Sequence, residues 1–250
     1  MPRIAREKSG TGVYHVIIRG INRQSIFIDD EDNEKFLDTL VICKKISGFK
    51  IFGYCLMGNH VHLLIKEEKE KVGQIFRRIG ARYVYWYNWK YRRSGHLFQD
   101  RFKSEAVEDD KYFITVLRYI HQNPRKAGLC KKLEDYQWSS YCDYTGGRGI
   151  TDISFALDLI GLDSFKSFMN ETNNDKVLEM EDEKKRLTDQ ELSERIVKEF
   201  NIKAIMIQSE PKDRIKGLLE KILEIEGVSA RQLSRVTGIS ANIIWKIASK

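Results

Sequence analysis

The pattern of apolar and polar residues in the first half of the chain alternates between the period of a strand and that of a helix. Four segments rich in β-branched and aromatic residues predict strands: residues 12–23, 49–57, 60–67 and 96–109. Three segments with apolar residues at helical spacing predict helices: residues 29–48, 69–93 and 110–123. Pro124 is expected to end the last of these helices.

The order of these elements is β-α-β-β-α-β followed by a helix, which predicts an α+β fold. The expected architecture is a ferredoxin-like sandwich, an antiparallel sheet with helices on one face, followed by a small all-α C-terminal domain. A glycine-rich stretch at residues 145–151 marks a boundary, and the pattern beyond it is helical. We therefore expect a catalytic domain at residues 1–148, a helical connecting region at 149–226 and a DNA-binding segment at 227–250.

Two histidines lie one residue apart in the stretch GNHVHLLI, within a predicted strand. Residues i and i+2 of a strand point to the same face, so His60, His62 and Leu64 should share one face. The other face should hold Val61, Leu63 and Ile65. Two adjacent imidazoles can bind one metal ion, although the spacing does not select the metal. The alternative is a pair of half-buried histidines, each satisfied by a hydrogen bond.

Tyr119 and Asn123 lie four residues apart in the stretch LRYIHQNP, and therefore on one face of the predicted helix. A tyrosine phenol can act as a covalent nucleophile towards phosphorus. A phosphotyrosine ester can in turn be attacked by a DNA 3′-hydroxyl, which strand transfer requires. The alternative is a core tyrosine, since the chain has eleven tyrosines. Tyr112, seven residues earlier, is the rival nucleophile.

Together, GNHVHLLI and the helix carrying YIHQNP resemble the HUH superfamily of single-tyrosine transposases, and most of all the REP-associated tyrosine transposases. The resemblance covers roughly residues 2–144. It implies that His60 and His62 bind a divalent metal, Mg or Mn, with Asn123 in the place of the third ligand. It also implies that Tyr119 is the catalytic nucleophile and forms a 5′-phosphotyrosine intermediate.

The function expected from this resemblance is that of a metal-dependent tyrosine DNA nuclease and strand transferase acting on single-stranded or hairpin DNA. One alternative is a domesticated, catalytically inactive DNA-binding regulator on the same fold. Another is a related rolling-circle nuclease or relaxase. The remaining histidines, His15, His96 and His121, receive no catalytic role. We expect a cytoplasmic protein that does not bind membranes, and a homodimer is possible.

Charge is unevenly distributed along the chain. Residues 1–150 hold 27 Lys and Arg against 18 Asp and Glu, a net charge of +9 (27 − 18). The whole chain has a net charge of +7, so the surplus of cations lies in this part. Cations interleaved with aromatic residues on the long predicted helix suit single-stranded DNA, because phosphates are neutralised while bases stack. The DNA contacts predicted in this part are Arg19, Arg23, Arg77, Arg78, Arg82, Arg101 and Lys103. The four scattered cysteines lack a CxxC pair and are expected to be reduced.

The end of the chain has the pattern of two short helices joined by a turn at residues 237–239. It resembles the helix-turn-helix of bacterial replication initiators. The polar residues Ser240, Asn242 and Lys246 would then face a DNA groove. Five apolar residues are expected in its core: Leu233, Val236, Ile239, Ile243 and Ile247. The alternative is a helical hairpin that only packs or dimerises.

Overall fold

The computed structural model describes residues 7–99, 101–147, 149–172, 177–178, 187, 189–225 and 227–248. Its centre is a four-stranded antiparallel sheet in the order β2-β3-β1-β4, which is the strand order of the ferredoxin-like fold. The strands are β1 (Val13–Arg19), β2 (Lys50–Met57), β3 (His60–Lys66) and β4 (Lys103–Ala106). The predicted α+β class and antiparallel sheet are confirmed.

One face of the sheet is covered by α1 (Asp30–Ser47) and α2 (Val72–Lys90). Helix α1 begins with a capping box. The Asp29 carboxylate accepts a hydrogen bond from the Asp32 backbone amide, and the Asp32 carboxylate accepts one from the Asp29 backbone amide. It ends at Gly48, whose left-handed φ of 63° glycine adopts at low cost. Phe36 and Tyr83 join the two helices in an edge-to-face contact, with ring centroids 5.0 Å apart.

The opposite face is covered by α3 (Asp110–Lys126), so the expectation that the helices lie on one face holds only for α1 and α2. Apolar residues at helical spacing on α3, including Phe113, Val116 and Ile120, pack on the sheet. Helix α3 also continues past Pro124 to Lys126, contrary to the prediction. Strand β4 is shorter at both ends than the predicted 96–109, and beyond its end the Asp109 side chain caps α3 by accepting a hydrogen bond from the Tyr112 amide.

The boundary between the two compact units of the chain falls later than predicted. The first unit is Met1–Met180 and the second is Glu181–Lys250. Three further helices belong to the first unit: α4 (Tyr141–Tyr144), α5 (Ser154–Ile160) and α6 (Leu162–Asn170). Phe165 and Met169 of α6 are buried in the same core as α3, so residues beyond 148 complete the first unit.

The second unit is helical, and its apolar core is its own. Its helices are α7 (Asp189–Phe200), α8 (Lys212–Leu223), α9 (Ala230–Thr237) and α10 (Ala241–Ala248). Ser229 caps α9 by accepting from the Gln232 amide, and the turn to α10 passes through Gly238 with φ of 74°. Ile243 is 51% exposed, contrary to its predicted core position, and Ile244 is buried instead. None of the helices in the described ranges combines the length and apolar character needed to cross a membrane.

We predict that Tyr83→Phe destabilises the first unit by about 1–3 kcal/mol, because it leaves a buried carbonyl without a donor. The Tyr83 hydroxyl donates to the Ile26 carbonyl oxygen at 2.6 Å in the core. The matched control is Tyr85→Phe, two residues away and 79% exposed, which should change stability by less than about 0.5 kcal/mol. Urea unfolding of the three proteins measures both effects, and equal midpoints would contradict the prediction.

Candidate active site on the α3 face of the sheet

The antiparallel register between β1 and β3 places both histidines of the HxH pair on the face that α3 covers. His62 lies opposite Ile17, and His60 lies opposite Arg19. Leu64, the next residue with the same orientation, packs in the α3 core. The residues that alternate with these three pack on the α1 and α2 side. The predicted division of β3 into two faces is therefore confirmed.

Tyr119 of α3 lies directly against this histidine pair. Its ring centroid is 5.6 Å from that of His62, and the two rings meet at 74°. The centroids of His60 and His62 are themselves 5.0 Å apart. Tyr119 is 5% exposed and lies on the sheet-facing side of an amphipathic helix. The fold thus brings together an imidazole pair and a phenol that are far apart in the sequence.

Each imidazole of the pair has its Nδ1 atom engaged in a hydrogen bond. Nδ1 of His60 lies 2.7 Å from Oδ1 of Asn59, and Nδ1 of His62 lies 3.1 Å from Nε2 of His15. Nε2 is then the nitrogen of each ring that could bind a metal. A metal-binding imidazole commonly has its other nitrogen hydrogen-bonded in this way, because the bond fixes the ring and its tautomer.

Burial keeps both imidazoles of the pair neutral at pH 7. Desolvation by burial, followed by the charge of Arg19, lowers the pKa of His60 to about 4. The pKa of His62 is lowered well below its usual value, first by burial and then by neighbours that include His15 and His60. Neutral imidazole is the form that binds metals, so the electrostatics of this site suit a metal ligand.

Asn123, the third predicted ligand, is half-buried one helical turn beyond Tyr119. Its Nδ2 lies 3.5 Å from the Tyr119 carbonyl oxygen, and no described contact joins it to either histidine. Across the described ranges, no cluster of three His, Cys, Asp or Glu side chains is arranged to hold a metal ion. The donors that this structure brings together for a divalent cation are the two imidazoles, which leave positions for substrate or water oxygens, and Asn123 as a third ligand stays a prediction.

The rival nucleophile, Tyr112, is engaged elsewhere. Its hydroxyl donates to Oε2 of Glu105 at 2.6 Å, and burial together with this carboxylate raises its pKa. His121 lies on the core side of α3, where its Nε2 is 2.9 Å from Oγ of Ser140. Tyr119 is thus the tyrosine of α3 with a described ring contact to the histidine pair, whereas Tyr112 bonds to Glu105 and His121 packs in the core.

Comparisons with known proteins find similarity to transposases. The family described as "Transposase IS200 like" matches residues 9–123, a little under half of the chain. A protein of Haemophilus influenzae named as a REP-associated tyrosine transposase is 27% identical over 153 residues, which cover 56% of this chain and 86% of the relative. The structure of a REP-associated tyrosine transposase bound to a REP hairpin has the same fold, with a TM-score of 0.52 and 19% identity over 62% of this chain and 96% of that one.

Several cations of the first unit lie on the same face as the histidines. Lys103 of β4 is exposed and lies opposite Ile17, so it belongs to the same row across the sheet as His62. Arg19 lies opposite His60 in the register. Lys126 places its ammonium 5.1 Å from the centroid of the Tyr119 ring. Three cations therefore share this face with the phenol and the imidazoles.

Other predicted DNA-contact residues of the first unit lie on the opposite helical layer. A groove of about 780 Å³ runs between α2 and the segment before β4, and Arg77 and Arg101 line it together with aromatic residues. Arg82 lines a neighbouring depression with Tyr85. Arg78 is less suited to DNA, because its guanidinium pairs with Glu70 at 2.7 Å and donates to Ser47. The backbone carbonyl of Arg23 accepts a hydrogen bond from Asn59 beside the histidines.

Two residues of this site, Lys126 and His15, were not predicted from the sequence to contribute to it. Lys126 could have been found, because it lies two helical turns after Tyr119 and therefore on nearly the same face. His15 had no such signal. Its proximity to His62 follows from the β1–β3 register, and its ring also lies 6.0 Å from that of Tyr119.

We predict that His121 makes the first unit sensitive to acid. Burial lowers its pKa to about 3, so the folded protein holds it neutral while the unfolded chain protonates it near pH 6.5. Its contribution to stability is present above pH 6.5 and is lost as the pH falls from 6.5 towards 3. Between pH 7 and pH 5, wild type should lose about 1–2 kcal/mol more unfolding free energy than His121→Gln.

Urea unfolding at the two pH values measures this difference. The variant His96→Gln, which replaces an exposed histidine, is the matched control and should follow wild type. An identical loss in His121→Gln and wild type would contradict the prediction.

Proposed function

We propose that this chain is a metal-dependent DNA nuclease and strand transferase that cleaves single-stranded or hairpin DNA through a 5′-phosphotyrosine. The observation that carries the proposal is the contact between the rings of Tyr119 and His62, with centroids 5.6 Å apart. A core tyrosine would need no such neighbour. A nucleophile would need one, because the attacked phosphate must reach the phenol and the metal ligands together.

In the proposed reaction, the Tyr119 hydroxyl gives its proton to solvent water and the phenolate oxygen attacks the scissile phosphorus in line. The new phosphorus–oxygen bond links the tyrosine to the 5′-phosphate, while the bond to the 3′-oxygen breaks. The 3′-oxygen takes up a proton from solvent water and leaves as a free hydroxyl. A divalent cation bound by His60 and His62 would supply Lewis acidity at a phosphate oxygen. Attack of a 3′-hydroxyl on the phosphotyrosine reverses the step and joins strands.

The DNA strand is proposed to approach the α3 face, where Arg19, Lys103 and Lys126 can neutralise phosphates. Support for a hairpin substrate comes from the solved relative, which is bound to a REP hairpin. The groove lined by Arg77 and Arg101 would hold a further part of the DNA on the other layer. Its aromatic walls suit stacking of unpaired bases.

The second unit is proposed to bind duplex DNA through α10. Ser240, Asn242 and Lys246 are exposed, as a groove-reading helix requires. The exposed Ile243 and Trp245 on the same helix add apolar surface that can contact thymine methyl groups. Formation of a homodimer stays a prediction.

We predict that Tyr119→Phe abolishes cleavage and the covalent adduct but leaves DNA binding intact, because only the nucleophilic oxygen is removed. The matched control is Tyr112→Phe, which removes a tyrosine hydroxyl from the same helix and should retain both cleavage and adduct formation. Denaturing gels of hairpin oligonucleotides labelled on the 5′-phosphate side, with Mg²⁺ or Mn²⁺, measure cleavage and adduct.

The outcomes of this assay separate the proposed enzyme from its alternatives. An adduct in Tyr119→Phe would exclude Tyr119 as the nucleophile. A wild-type protein that binds the hairpin tightly and never forms an adduct would instead be the inactive regulator on the same fold.

We predict that Lys103→Ala reduces the salt dependence of single-stranded DNA binding, because one phosphate contact is lost. The slope of log K against log salt should become shallower by about 0.7. Lys45→Ala, which removes an exposed cation of α1, should leave the slope unchanged. Fluorescence anisotropy at several salt concentrations measures both slopes. A Lys103→Ala slope equal to that of wild type would place the strand away from β4.

A further inference from the structure

The contact between His15 and His62 gives the buried histidine of β1 a role in the site. We infer that His15 is a positioning residue that fixes the tautomer and the ring orientation of His62 for metal binding. This inference rests on the proposed function, because it assumes that His62 is a metal ligand. His15 itself touches neither substrate nor metal in this arrangement.

The geometry of the contact follows from the strand register. His15 lies opposite Leu64, and His62 is two residues from Leu64 along β3, so the two histidines are diagonal neighbours on one face. Diagonal neighbours are within reach of aromatic side chains. Nε2 of His15 lies 3.1 Å from Nδ1 of His62, and the rings are nearly parallel at 18° with centroids 5.4 Å apart.

The position of His15 would suit an apolar residue better if packing were its only task. It is 0% exposed in the middle of β1, between residues that are themselves buried. Its Nδ1 atom is buried and has no hydrogen-bond partner in the described part of the chain. A valine or leucine would avoid leaving that nitrogen unsatisfied. The one hydrogen bond that the histidine gains is the one to His62.

The protons of the two rings are linked through this bond. A neutral imidazole carries one proton, so Nε2 of His62 is free to bind a metal only when the proton is on Nδ1. Nδ1–H of His62 then donates to Nε2 of His15, which must accept, and the proton of His15 is on its own Nδ1. In the opposite arrangement His15 donates, and the His62 proton occupies the Nε2 atom that the metal needs. His15 as acceptor therefore selects the metal-binding tautomer of His62.

Three variants of His15 separate positioning from packing. His15→Gln keeps an amide acceptor near the place of Nε2. His15→Asn is shorter and does not reach His62, and His15→Phe fills the volume with no acceptor. Mn²⁺ binding by the full chain without DNA, measured by calorimetry or electron paramagnetic resonance, should weaken 10–100-fold in the Asn and Phe variants. The Gln variant should stay much closer to wild type.

A second measurement reads the tautomer directly. Long-range ¹H–¹⁵N spectra of the metal-free protein should place the His62 proton on Nδ1 in wild type and in His15→Gln. In His15→Phe the population with the proton on Nε2 should rise. Thermal unfolding and hairpin binding of each variant check that the fold is intact, and if His15→Phe fails to fold, His15→Asn serves in its place.

Three results would overturn the inference. The first is wild-type Mn²⁺ affinity in folded Asn and Phe variants, and the second is a His62 proton on Nε2 in the wild-type protein. The third is a loss of Mn²⁺ affinity in His15→Gln as large as in His15→Phe, which would favour direct metal binding by His15.

The proposed function and this inference can fail separately. If the wild-type chain binds no Mn²⁺, both the role of His15 and the proposed metal site are contradicted. If only the Tyr119→Phe test fails, the Mn²⁺ result stays valid.

Discussion

The antiparallel register between β1 and β3 is the constraint on which the site depends. It sets His62 opposite Ile17 and His60 opposite Arg19 at the centre of the sheet. Because side chains alternate across a strand, a shift of one residue would move both histidines to the α1 and α2 face. The core prevents that shift, since Val61, Leu63 and Ile65 are fully buried on the other face. Packing of apolar residues thus holds polar ones in place.

Helix α3 contributes Tyr119 to the candidate site from the side of the helix that faces the sheet. Its sheet-facing side is mostly apolar, but it includes Tyr119 at the point where the sheet presents histidines. The Tyr119 phenol therefore packs against the imidazoles and remains part of the buried side of α3. Lys126, two turns later, adds a cation at the edge of the same ring. One helix face thus contributes both to the core and to the candidate active site.

The cations proposed to contact DNA in the first unit include two groups separated by the sheet. One group, with Arg19, Lys103 and Lys126, lies on the face of the candidate active site. The other, with Arg77 and Arg101, lines the groove beside α2. A DNA strand that contacts both groups must pass around an edge of the sheet. Lys103 lies on the edge strand β4, at one such edge.

The choice of Tyr119 as nucleophile came from its motif and stays a prediction, whereas the sequence by itself determined the strand and helix order and the shared face of His60 and His62. These properties depend on residues that are near one another in the chain, where local periodicity governs direction. Only the tertiary structure decided that α3 covers the histidine face, that His15 bonds to His62, and that Arg78 is paired with Glu70. It also decided that α5 and α6 complete the first unit. These properties depend on strand register and on the packing of distant segments, and no local pattern records which distant partner fills a given face.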